Sequence, residues 1–343
     1  MKEAPELTYQ SFLADAMRDY LDYLDHLGFS ITAPAYNLRM IDRFLAERNI
    51  ESIQQCNNRF WLELLAQHQS RLRAKTLQNW RGTFHGLCRY LVRQGWLPDN
   101  PVDAFPVPKL QPYRPYVFSV EELQRFFDYL QQQADQSRDP LTSFRFRSRY
   151  VFFHLLYACG LRVSEGVRLT AADHSAQRRT LFIQPSKFLK DRLIPIGSRV
   201  ASNLDLLLQQ RQHLFGIPAN GPIFLLLPVR RPYTKHWAGQ QFRKTLRHLG
   251  IYRPRIMRQG CMHGTPHLHE LRRAFAVHRL MKWYREQADV DAKLPLLATY
   301  MGHSCFKYTK TYLTLTQQLL SEAGHRFARS FDRLDWMTHD PEF

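Results

Sequence analysis

No run of eighteen apolar residues occurs in this chain of 343, so no single stretch reads as a bilayer-spanning helix. The N-terminus also lacks the basic-then-apolar pattern of a signal peptide. Its five cysteines, Cys56, Cys88, Cys159, Cys261 and Cys305, are odd in number and scattered, without a Cys-x-x-Cys pair, so no disulfide framework is implied. Internal repeats and low-complexity tracts are absent apart from the short polar stretch Gln131 to Arg138. Acidic side chains are scarce, 30 against 48 Lys and Arg. The resulting net charge of +18, with a pI near 9.9, makes a field that attracts polyanions. Nucleic acid is the natural partner of such a chain, and an anionic membrane surface is disfavoured without an apolar span. A soluble, intracellular protein of a reducing cytoplasm is expected.

The chain is long for one domain. Residues 1–98 read as helical, starting with Phe12, Leu13, Met17, Tyr20, Leu21 and Leu24 at helical steps and stopping at Gly28. Asp15, Asp19, Asp22 and Asp25 acidify the rest of that helix, which should face away from nucleic acid. From Lys75 to Gln94 the apolar face is Leu77, Trp80, Phe84, Leu87 and Leu91, and Arg81, His85, Arg89 and Arg93 step by four beside it. A solvated charged face is the bland reading of that stripe. The charge of the whole chain favours phosphate contact, making Lys75, Arg81, Arg89 and Arg93 candidate DNA-binding residues. Residues 99–117 carry Pro101, Pro106, Pro108, Pro112 and Pro115 and are expected to form an extended linker. Ser119-Val120-Glu121-Glu122 then reads as a capping box that opens a second unit, 118–325, with 326–343 as a tail. This second unit looks helical except for two β-prone runs, Thr180 to Ile183 and Arg192 to Ile196, joined by a turn at Ser186 to Lys190.

Four stretches of the second unit carry chemistry. Arg162 follows Gly160 at the opening of a helix expected to run from Ser164 to Leu169, where backbone N–H groups and a guanidinium fork both suit a phosphate oxygen. Glu165, three residues on, can orient it, although most such pairs are surface ion pairs. His269 and Arg272 share a face of a helix starting after Pro266. Lys187 lies in the turn between the β-prone runs. Nine residues separate His303 from Tyr312, which on an unbroken helix would put them on opposite faces, so a shared site needs a bend between them. Tyr300 and Tyr308 are rival nucleophiles, and spacing alone leaves all three open.

Taken in order, these stretches resemble the tyrosine recombinases of the phage integrase family. Gly160-Leu161-Arg162-Val163-Ser164-Glu165 is similar to the family's first arginine motif, and His269-Glu270-Leu271-Arg272 to its His-x-x-Arg motif. Met301-Gly302-His303-Ser304 is similar to Leu-Gly-His-Ser. The family's nine-residue step selects Tyr312 over its rivals, and its hairpin makes Lys187 rather than Lys190 the catalytic lysine. Arg273 stands where the family often has a second histidine. Extra residues near Tyr284 to Lys293, expected to form a polar loop, together with Tyr312-Leu313-Thr314, look more like transposon-borne recombinases than chromosomal resolvases.

The resemblance implies a mainly α fold with a small β-hairpin, in which a helical N-terminal domain and a catalytic domain form a C-shaped DNA clamp. It implies Tyr312 as nucleophile, with Arg162, Arg272 and His303 stabilising charge on phosphorus, His269 accepting a proton, Lys187 protonating the departing 5′ oxygen and Glu165 supporting Arg162. The expected partners are double-stranded DNA at specific sites and a homotetramer on synapsed duplexes, with accessory recombinases or DNA-bending proteins as further candidates. No cofactor is expected. A zinc site at Cys261, His263, His267 and His269 lacks a familiar ligand rhythm. The alternatives are relaxation of supercoils by a type IB topoisomerase and a catalytically silent DNA-binding subunit.

Overall fold

The computed structural model describes residues 8–68, 72–184, 191–217, 221–303 and 309–316. Lys187 and Tyr308 therefore lie outside the described residues. The chain divides after Pro112 into two compact units.

Among the described residues, four α-helices build the first unit: α1 (Ala14–His26), α2 (Thr32–Glu47), α3 (Asn58–His68) and α4 (Ala74–Arg93). Each buries one stripe, and Leu38, Ile41, Trp61, Leu64, Phe84 and Leu87 form the centre of a common core. The five apolar residues read on one face of α4 are all buried. Asp42 in α2 accepts hydrogen bonds from the backbone N–H groups of Gln10 and Ser11, both at 2.9 Å, and so fixes the lead into α1. The first half of the proline-rich stretch is not a free connector. Val102 and Phe105 are buried in the core, while Trp61, Gln78 and Arg81 donate to the carbonyls of Pro106, Pro108 and Phe105. Proline has no N–H, but its carbonyl still accepts, and these side chains satisfy it.

The second unit begins at β1 (Tyr113–Arg114) and α5 (Val120–Gln136). Both capping-box bonds are formed: Ser119 Oγ accepts from the Glu122 N–H at 3.2 Å, and the Glu122 carboxylate accepts from the Ser119 N–H at 3.0 Å. At the centre stands α6 (Pro140–Ala158), in which every residue from Tyr150 to Tyr157 is buried. A helix apolar all round belongs inside a domain, and each large apolar side chain there contributes roughly 1.5–3 kcal/mol relative to exposure. The elements that follow are α7 (Val163–Gly166), β2 (His174–Ser175), β3 (Thr180–Ile183), β4 (Arg192–Pro195), α8 (Ser198–Phe215), β5 (Leu225–Leu226), β6 (Arg231–Pro232), α9 (Lys235–His248), β7 (Ile256–Arg258), β8 (Cys261–His263), α10 (His269–Arg285) and α11 (Val290–Met301). Residues 309–316 are helical.

The expected hairpin is β3–β4, with Ile183 opposite Arg192 at its mouth, and β2 extends it to three strands. Two further small sheets were not legible, because their strands have only two or three residues: β5–β6, and β1–β8–β7, in which β1 runs parallel to β8. The helix after Arg162 is one turn, Val163–Gly166, shorter than expected. Tyr284 to Lys293 is not a polar loop. Tyr284 and Arg285 complete α10, and Val290 starts α11 with its side chain buried.

Candidate active site

The end of α11 organises the site. A helix leaves its last carbonyls without intrahelical partners and carries partial negative charge there. Three successive carbonyls at this end accept from three arginines on three other elements. Arg192 Nε of β4 donates to Tyr300 O at 3.0 Å, Arg272 Nη2 of α10 to Met301 O at 2.7 Å, and Arg162 Nη2, just before α7, to Gly302 O at 2.6 Å. The next residue is His303. The helix terminus thus gathers guanidinia from distant parts of the sequence, and among the described residues of the cluster they surround one carboxylate, Glu165.

Glu165 is buried, and its oxygens accept from Arg192 Nη1 and Nη2 at 3.0 and 2.9 Å. Arg162 contributes Nη1 and its backbone N–H, both at 2.8 Å. Burial alone would push this carboxyl up, but the hydrogen bonds and charge of Arg192, followed by those of Arg162, hold it at about 2. Sequence analysis identified Glu165 as the support of Arg162 but missed Arg192, the partner that grips both carboxylate oxygens. The available signal was a second arginine at the start of the return strand of the hairpin.

Two glycines make these approaches possible. Gly302 ends α11 at φ +66°, and a Cβ there would stand 2.8 Å from Arg192 Nη1. Gly160, at φ +56°, leaves room for the Phe275 ring, which a Cβ would meet at 2.5 Å, and its carbonyl accepts from Arg272 Nη1 at 2.6 Å. Arg272 is 2% exposed, so both described bonds of its guanidinium go to backbone inside the protein. Burial first, and then the charge of Arg162, lower it to about 10, which leaves it protonated at neutral pH.

His303 Nδ1 lies 2.7 Å from Thr309 Oγ1, and its ring centroid is 5.8 Å from that of Tyr312. The chain turns at Gly302 and resumes as helix by residue 309, which supplies the required bend. Burial, then Arg272 and Arg162, lower His303 to about 3; burial, then Arg273 and Arg272, lower His269 to about 4. Both imidazoles are therefore neutral at pH 7 in the free protein. The Tyr312 ring is buried. Tyr300 donates its hydroxyl to the Pro195 carbonyl at 3.1 Å, and burial raises its phenol well above the ordinary value. Arg273 pairs with the buried carboxylate of Glu270, which burial pushes up to about 7 against the attraction of Arg273. Cys261 and His263 lie on β8, and among the described residues no group of three or more His, Cys, Asp or Glu side chains is placed to hold a metal.

Residues 117–318 match the phage integrase family over more than half of the chain. The chain belongs to that family of tyrosine recombinases. It is 28% identical over 331 residues to a Sinorhizobium fredii protein named as an integrase/recombinase, covering 94% of this chain and 99% of that one. It is also 28% identical over 232 residues to the tyrosine recombinase XerD of Brucella suis, covering 68% and 69% of the two chains. Its fold is similar to that of the Tn1549 transposon integrase in complex with transposon right end DNA, with a TM-score of 0.64 at 16% identity over 90% of this chain and 98% of that one. The XerH site-specific recombinase bound to a palindromic difH substrate gives 0.61 at 18% identity, over 85% and 78%.

Outside this cluster, the recombinase sorts its basic stripe on α4 into two kinds of side chain. Arg81 is turned onto its own unit, donating to Val102 O at 2.8 Å as well as to Phe105 O, and His85 pairs with Asp103 at 2.9 Å. Both are occupied in holding the proline-rich stretch. Lys75, Arg89 and Arg93 are exposed, with Arg93 Nη1 3.5 Å from the Tyr23 hydroxyl. Sequence analysis missed a second basic face. Helix α9 contains no acidic residue and exposes Lys235, His236, Arg243, Lys244, Arg247 and His248. It was passed over because no catalytic motif falls on it, although its uninterrupted charge was there to read.

Proposed function

We propose that the protein is a site-specific DNA recombinase of mobile DNA, cutting and rejoining strands through a 3′-phosphotyrosyl intermediate and a Holliday junction. The observation that carries this reading is the convergence of Arg162, Arg272, His303 and Tyr312 at the end of α11, although they come from separate parts of the chain. The arginines donate to phosphate oxygens, where charge builds as phosphorus becomes five-coordinate. Tyr312 Oη attacks phosphorus, its proton passes to His269, and the bond to the 5′ oxygen breaks as Lys187 protonates that oxygen. The free 5′-hydroxyl of a partner strand reverses the step. The phosphodiester's free energy is kept in the protein link, so rejoining requires no ATP. His303 serves as a neutral donor: with the Thr309 hydroxyl donating to Nδ1, its Nε2 carries the hydrogen that faces the phosphate. Double-stranded DNA is gripped by Lys75, Arg89 and Arg93 on the first unit and by α9 on the second, and the protein acts as a tetramer on two synapsed duplexes.

Incubation in EDTA with nicked duplexes from the DNA flanking the gene tests this reading. A protease-sensitive adduct on the 3′ phosphate is expected. Specific binding without any adduct supports the silent-subunit alternative, and an adduct accompanied by supercoil relaxation without strand exchange supports the topoisomerase.

DNA binding should also take up protons. A phosphate entering the cluster offsets the arginine charges that, after burial, lower His269 and His303, so both imidazoles rise from about 4 and 3 towards their ordinary range. Both imidazoles stay largely neutral at pH 7, but at mildly acidic pH the complex holds protons that the free protein does not. Affinity is expected to increase as pH falls from 7 towards 5 at constant ionic strength, as measured by fluorescence anisotropy. A flat or opposite trend would count against phosphate entry beside these histidines.

A further inference from the structure

The N-terminal half of α6 and the start of α9 help to line a basic pocket of about 210 Å³. Arg149 stands nine residues before the end of α6, roughly 13 Å along its axis, with Arg162 further still along the chain. Arg145 and Arg149, one turn apart, both line the pocket, together with Tyr233, Trp237 and the chain at Leu225 to Leu227. Arg145 donates through Nε and Nη2 to the Leu227 carbonyl at 3.2 and 2.7 Å. The Arg149 guanidinium lies 5.0 Å from the Phe146 ring and 5.6 Å from the Trp237 ring, and its buried Nε has no hydrogen-bond partner among the described residues. Among the described residues, no acidic side chain lines the pocket.

This arrangement favours an anionic partner. Like charges one turn apart repel, and a buried donor without an acceptor costs about 1–3 kcal/mol. The contacts with the Phe146 and Trp237 rings attract the cation without supplying a hydrogen-bond acceptor in the ring plane. A compact anion with several acceptor oxygens would offset the like charges of Arg145 and Arg149, and a guanidinium fork matches phosphate geometry. The location narrows the source: Trp237 is in the first turn of α9, beside the exposed Lys235 and His236 that begin its basic face.

We propose that Arg145 and Arg149 grip a backbone phosphate of bound DNA in this pocket, a contact distinct from the scissile phosphate. The inference rests on the DNA-recombining function proposed above. It assigns the pocket to anchoring the duplex, a contact that carries no sequence information.

The test compares the full chain with Arg149→Gln and Arg149→Lys in two assays. DNA affinity is measured across a salt series on flanking and unrelated duplexes, and melting temperature is measured with increasing inorganic phosphate. Arg149→Gln should weaken binding by a similar factor on every sequence and lower the slope of log affinity against log salt by about 1, with Arg149→Lys restoring most of that slope. Phosphate should raise the melting temperature of the wild type but not of Arg149→Gln. Stabilisation by phosphate with unchanged DNA affinity and slope would overturn the DNA source and leave a free-anion site. No effect in either assay would overturn the pocket's role altogether. A wild type that binds no DNA would overturn the proposed function instead, while the phosphate assay still decided the anion chemistry. Should Arg149→Gln melt markedly lower by itself, Arg145→Gln carries the same slope measurement.

Discussion

Tyr312→Phe is expected to abolish the covalent adduct while leaving the fold and DNA binding intact. The substitution removes one oxygen from a buried ring that lies 5.8 Å from the ring of His303. Phenylalanine fills the same volume, so no cavity opens and stability should change by less than about 1 kcal/mol. On the proposed mechanism that oxygen is the attacking atom, so the variant could form no phosphotyrosyl bond and cleavage should fall by more than about a thousandfold. Tyr300→Phe is the informative control. Its hydroxyl donates to the Pro195 carbonyl, and its phenol is held in the protonated form by burial. That variant should keep the adduct and lose about 1 kcal/mol of stability with the hydrogen bond. Denaturing gels on end-labelled nicked DNA read both results, and an adduct that survives Tyr312→Phe would move the nucleophile elsewhere.

Glu165→Gln should have the second largest effect, on stability and cleavage together. The carboxylate holds Arg192 by both oxygens and fixes Arg162, and removing one partner of a buried ion pair typically costs about 3–5 kcal/mol. Its pH dependence separates loss of charge from loss of packing. The folded carboxyl titrates at about 2 against an ordinary value of 4.5. Its contribution is therefore fully present above pH 4.5 and lost as pH falls from there towards 2, amounting to roughly 3 kcal/mol at neutral pH. Urea unfolding of wild type and variant should show a wide gap at pH 7 that narrows steadily below pH 4.5. A gap of equal size at pH 7 and pH 3 would mean that Glu165 acts through packing rather than charge. Cleavage should fall with Arg162's alignment, since a guanidinium misplaced by an ångström forfeits much of its effect on the reacting phosphate.

What could be read in advance was local. The α4 stripe, the Ser119 capping box, the β3–β4 hairpin and the start of α10 each depend on neighbours within a few residues, where periodicity, capping and turn chemistry act directly. The resemblance of the motifs reached further, because a site preserved as residue types in order can be recognised without its geometry. Missed were contacts between residues far apart in the chain. Two-residue strands leave no periodic signal, and the proline-rich stretch looked like a linker because its carbonyls show no partner until Trp61, Gln78 and Arg81 fold onto them.

By itself the sequence determined the charge, the helical character, the order of the motifs and the membership in a family. Tertiary structure alone decided which arginine does what. Arg81 and Arg162 are the same residue type, yet Arg81 closes on carbonyls of its own unit, while Arg162 reaches Gly302, 140 residues away. Arg192 enters the site because the pairing of β3 with β4 carries it to the end of α11. The physical reason is that a guanidinium's role is set by the acceptors within about 3 Å of it. In the arginine cluster at the end of α11 those acceptors are successive backbone carbonyls at a helix terminus, whose positions exist only once the whole second unit has folded.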